Sequence, residues 1–157
     1  MRFMLIRTLF FALALIPTVL MAQGRRIDTT MKVGKAGFRI NCYNKSSEKN
    51  PITIYPVGFE SEARDFSFEL KGVLIGTEVD DLNKDGFPEL LLYVTSFDSL
   101  NKSSVIAISS QENKSVAPIV FPDILDDPRL RDGYKGSDKY MLLEGILMRT
   151  YPLYEKD

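Results

Sequence analysis

Residues 79–93, VDDLNKDGFPELLLY, place oxygen-bearing side chains at every second position: Asp81, Asn83 and Asp85, then Gly86 and, further on, Glu89. A hard cation such as calcium takes roughly six to eight oxygen ligands, and a loop that suits it alternates carboxylates and amides around a glycine bend. Asp81, Asn83, Asp85, the carbonyl of Phe87 and Glu89 form a possible metal set of that kind. The EF-hand version is excluded, because its last ligand position falls on Leu92 and the flanks read as strands. The same residues also suit a hairpin. Asp85-Gly86 supplies a positive-φ corner, while Asp81 and Asn83 can accept hydrogen bonds from nearby backbone N–H groups. Calcium loop and structural turn both follow from these side chains.

The rest of the chain removes most other chemistry. There is no histidine, which excludes Ser-His-Asp triads, His-ligated zinc and imidazole acid–base catalysis. Cys42 is the single cysteine, so no internal disulfide is available and a small, buried, inert thiol is expected. A hydrolase working with carboxylates alone, Asp80 with Glu144 for instance, lacks any spacing that would bring the two acids together. The chain is therefore expected not to be an enzyme. Its 20 basic and 21 acidic side chains form no basic cluster interleaved with aromatics, which argues against nucleic acid as a partner.

These groups must be positioned by a modest number of elements. Arg2 and Arg7, the apolar run 9–20 and Ala22-Gln23 read in order as a signal peptide over 1–22. The run is short for a membrane span of about 20 residues, and no second one follows, so a periplasmic or secreted protein is expected. Loss of that segment moves the net charge from −1 to −3. Residues 23–157, roughly 135 in all, suit a single domain.

Phe66, Phe68 and Leu70 alternate with Ser67 and Glu69, the period of a half-buried strand, and Val73-Leu74-Ile75 continues the run past Gly72. Residues 90–94, 104–109 and 116–121 are short β-rich runs bounded by turn residues. Residues 31–44 and 52–57 are weaker strands, loosened by Gly34, Gly37 and Pro56. Residues 140–151 close the series, with Tyr140, Leu142, Ile146 and Met148 on one face and Glu144 interrupting it. Residues 122–133 can hold a helical turn or two on either side of Pro128. This rhythm predicts an all-β fold, an antiparallel β-sandwich with short helical connections.

Two resemblances attach to these residues. The strand-flanked loop resembles the DxNxDGxxD element of FG-GAP-type propeller repeats, with Glu89 where aspartate is usual, although it occurs here once. More extensively, DLNKDGFPELLLYVTS, SVIAISSQENKSVAPIVFPDI and GYKGSDKYMLLEGILMRTYPLY follow one another in an order that resembles the periplasmic inhibitors of I-type (invertebrate-type) lysozyme. The likeness runs from about residue 34 to residue 154. It implies a lysozyme-inhibitor-like β-sandwich that acts by protein binding, with a lysozyme-like glycoside hydrolase as partner.

In that family the inhibitory loop follows the strand equivalent to 90–94 and carries Ser-Gly-x-Tyr. In register, the partner-binding positions here are Ser99, Leu100, Asn101 and Lys102, so the serine is kept while leucine and lysine replace glycine and tyrosine. A glycosidase cleft holds carboxylates, to which Lys102, Ser99 and Asn101 offer positive charge and donors, whereas Asp98 must face the rim. The family chain also continues past its Tyr-Pro-x-Tyr, so the last strand here is expected at a sheet edge, open to pairing in a homodimer. The alternative function is a calcium-stabilised surface or adhesion module built on the 81–89 loop.

Overall fold

Turn chemistry cuts the chain into strands in a computed structural model that describes residues 25–60, 63–96 and 102–154. Ile27–Val33 (β1) and Ala36–Cys42 (β2) form a hairpin turned at Gly34, where φ is +59°. The 31–44 run is thus two strands, the first starting earlier than its composition suggested. Lys49–Val57 (β3) and Phe66–Lys71 (β4) complete an antiparallel sheet in the order β1-β2-β3-β4. Val73–Asp80 (β5), Glu89–Thr95 (β6), Ser103–Gln111 (β7) and Ser115–Ile119 (β8) form a second sheet in sequence order, also antiparallel.

The alternation of each strand then determines the core. Phe38 and Ile40 from β2, Ile52 and Ile54 from β3 and Leu70 from β4 meet Leu74, Leu90, Leu92, Val94 and Ile108 of the second sheet in one buried cluster. Each such aliphatic side chain contributes roughly 1.5–3 kcal/mol by leaving water. The two sheets pack face to face as a β-sandwich. Cys42 is a free, buried thiol within the same cluster.

The passage from one sheet to the other differs from the sequence expectation. Val73 does not continue the strand that contains Phe66; the chain breaks at Gly72, where φ is +129°, and changes sheets. A Cβ at Gly72 would lie 2.4 Å from the Thr95 carbonyl oxygen, so only glycine fits. Two buried asparagines satisfy the backbone at this corner. Asn50 donates to the Gly72 carbonyl (2.7 Å) and the Ser46 carbonyl (2.6 Å). Asn44 holds both backbone groups of Leu74, accepting from its N–H at 2.9 Å and donating to its carbonyl at 2.7 Å.

A third layer covers the outer face of the second sheet. Leu91 and Ala107 are fully buried although they point away from the inter-sheet core, and Ile124 is buried with them. A 3-10 turn at Ile124–Asp126, capped by the Asp123 carboxylate on the Leu125 N–H (3.0 Å), and a further turn from Asp127 to Arg131 are the expected short helical connections. Lys139–Leu143 (β9) and Ile146–Thr150 (β10) follow as an antiparallel ribbon that lies against β7.

Here too the expected strand is two. Glu144 and Gly145, at φ 51° and 78°, form the turn and reset the alternation. Tyr140, Leu142, Leu147 and Arg149 therefore share the half-buried inner face, while Ile146 and Met148 lie on the exposed outer one. Among the described residues, no helix is long and apolar enough to cross a membrane.

Candidate functional site

The β6–β7 hairpin positions the loop at 96–104. Its ladder runs to Thr95 opposite Ser103, whose hydroxyls lie 3.2 Å apart. One step further out, the Ser96 N–H and hydroxyl both donate to the Lys102 carbonyl, at 2.9 and 3.2 Å. The ends of the loop are thereby clamped together. Ser99, Leu100 and Asn101, with Asp98, lie outside the described residues. Lys102 is at the base and half-buried.

Beside that base the third layer leaves a cleft of about 400 Å³, lined among others by Lys102, Ser104, Phe121, Tyr134, Tyr140 and Arg149. Its polar wall is a network that joins Arg149 to residues far from it in the sequence. The Arg149 Nε donates to Asp138 Oδ1 at 2.8 Å, and its Nη2 donates to the Tyr134 hydroxyl at 3.2 Å. The Tyr134 hydroxyl in turn donates to the other Asp138 oxygen at 2.5 Å. Asp138 has no exposed side-chain surface. A buried carboxylate without its cation would be strongly destabilising, so Arg149 and Asp138 stand or fall together.

The Arg149 guanidinium also lies over the rings of Tyr134, Tyr140 and Tyr151, at 5.6, 5.5 and 5.6 Å from their centroids. Tyr134 and Tyr151 meet edge to face, 5.4 Å apart. Burial, and then the Asp138 carboxylate, push the Tyr134 hydroxyl up to about 12. Tyr140 is raised as well, chiefly by burial. These hydroxyls stay neutral donors at ordinary pH.

The GYKG and RTYPLY segments, separate landmarks in the sequence, are thus one unit. Tyr134 bridges to Leu153, and the Tyr154 N–H donates to the Gly133 carbonyl at 3.0 Å. The one local sign of this arrangement is a charged residue, Arg149, standing in an apolar run opposite Tyr140.

The acidic loop lies at the other end of β6. Seven residues of strand separate the two loops, or about 20 Å at ~3.4 Å per residue. Asp81 accepts from the N–H groups of Asp85 (3.0 Å) and Gly86 (2.9 Å). Asn83 accepts from the Asp85 N–H at 3.0 Å and donates to its carboxylate at 2.8 Å. Asp85 accepts from the Phe87 N–H at 2.8 Å. Lys84 and Gly86 take the left-handed conformations, at φ 62° and 88°.

Glu89 is buried, 1% exposed, and accepts from the Leu82 N–H (2.8 Å) and the Ser109 hydroxyl (3.0 Å). Burial raises its pKa, against the opposing effect of those two hydrogen bonds, and the nearby Asp85 and Asp81 charges raise it further. The loop is held as a turn by its own side chains. Among the described residues, no group of three or more His, Cys, Asp or Glu side chains is arranged to hold a metal ion. The chain matches no family model, no curated protein and no solved structure.

Proposed function

We propose that this is an exported protein-binding module, periplasmic or secreted, that uses the 96–104 loop to engage a lysozyme-like glycoside hydrolase of the invertebrate type. The observation that carries this reading is the clamp between Ser96 and Lys102, which closes the ends of the loop at the end of the paired strands β6 and β7. A loop whose ends are already held loses less freedom on entering a cleft than an open segment would. Lys102 adds the sign of charge that a carboxylate-bearing cleft attracts. The resemblance in the order of sequence landmarks supplies the partner class, and Tyr134 and Tyr140 line the cleft beside Lys102.

Surface plasmon resonance against an I-type lysozyme tests the reading. Lys102→Ala is expected to weaken binding by about 1–3 kcal/mol, with a loss that shrinks as salt screens the charge. Lys32→Ala, on the outer face of the first sheet, is the control and should leave binding unchanged. Equal effects of the two substitutions would remove Lys102 from the contact.

A further inference from the structure

The β9–β10 ribbon carries large apolar side chains on both faces. Its inner face, with Tyr140, Leu142 and Leu147, covers the second sheet, yet its outer face carries Met141, Leu143, Ile146 and Met148, which are 56, 55, 66 and 40% exposed. A ribbon covered on one side only should read apolar inward and polar outward; a run apolar on both sides is the pattern of strands covered twice. The exposure is also concentrated. Among the described residues, every exposed large apolar side chain except Tyr43 and Ile75 lies within 120–154.

The register makes the outer face a continuous surface, with Met141 opposite Met148 and Leu143 opposite Ile146. Lys139 stands at one end of that face, and Glu144 stands in the turn at the other. We propose that this face packs against the same face of a second copy of the chain, with the two ribbons antiparallel about a two-fold axis. The charges select that arrangement. Antiparallel stacking brings Lys139 of each copy toward Glu144 of the other, whereas parallel stacking would set lysine on lysine and glutamate on glutamate. A lipid surface or an unrelated protein would have no use for a charge pattern complementary to itself.

The contact is small. Strands of five residues are about 17 Å long, so the interface falls in the low size class, and the dimer is reversible with a Kd on the order of 10 μM. The proposal is independent of the loop at 96–104.

Sedimentation equilibrium of the purified protein from about 1 μM to 1 mM brackets that Kd. The expected result is a mass that rises toward twice the monomer. Ile146→Lys should give a monomer at every concentration that melts at the temperature of the dilute wild type, since Ile146 is exposed. Lys139→Glu should raise the Kd about tenfold, and the exchange Lys139→Glu with Glu144→Lys should restore it. A wild-type monomer throughout, an Ile146→Lys variant that still dimerises, or an exchange variant no tighter than Lys139→Glu would each overturn the proposal. So would association of the wild type with phosphatidylcholine vesicles in place of itself.

Discussion

Glu89 acts as a strut at the base of the acidic turn. Its two oxygens fasten the start of the acidic turn, at the Leu82 N–H, to the neighbouring strand, at the Ser109 hydroxyl. Burial raises its folded pKa above the ordinary value of 4.5. The folded state therefore holds the proton more tightly than the unfolded chain, and the stability this contributes is complete below the unfolded pKa and lost as pH rises through the folded one. Glu89→Gln keeps an acceptor for Leu82 and a neutral side chain at every pH. Urea denaturation from about pH 4 to pH 8 should then show the variant gaining on the wild type as pH rises. Parallel profiles would contradict the assigned strain on the carboxylate. The sequence made the alternating oxygens of Asp81, Asn83 and Asp85 legible, but not which donors they accept from, because a turn and a cation loop make the same demand for oxygen.

At the scale of elements, the strands whose signals are local are legible in the sequence. β6, β7 and β8 are short apolar runs between turn residues, and the structure has them within a few residues of where composition puts them. Two breaks were invisible for physical reasons. Alternation continues on both sides of Gly72, so nothing in the period reports that the chain has changed sheets there. Glu144 is not a typical positive-φ residue, so the two-residue turn before Ile146 did not announce itself. The Arg149 network was hidden by distance along the chain, since its partners Asp138 and Tyr134 lie 11 and 15 residues away across the ribbon.

Gly72 carries a direct test of the corner. Gly72→Ala forces a side chain into φ +129° and to 2.4 Å from the Thr95 carbonyl, and should cost roughly 2 kcal/mol or more. Gly86→Ala, also at positive φ but facing open space, should cost about 1 kcal/mol. Chemical denaturation that ranks the two the other way would refute this account of the sheet change.

On the scale of the whole molecule, the sandwich separates its distinctive surfaces. The acidic turn lies at one end of β6, the clamped loop at the other, and the apolar ribbon face lies outside the third layer. The inner face of the ribbon borders the cleft beside Lys102, whereas Met141, Leu143, Ile146 and Met148 lie on its other face. Only the fold itself follows from strand alternation; the proposed partner rests on the loop, its Lys102 and the order of sequence landmarks. The most direct test is inhibition by the purified protein of invertebrate-type, chicken-type and goose-type lysozymes, measured side by side with increasing inhibitor. Inhibition of the invertebrate-type enzyme, weakened by Lys102→Ala, is the expected result. Absence of both inhibition and binding of that enzyme at about 100 μM protein would contradict it.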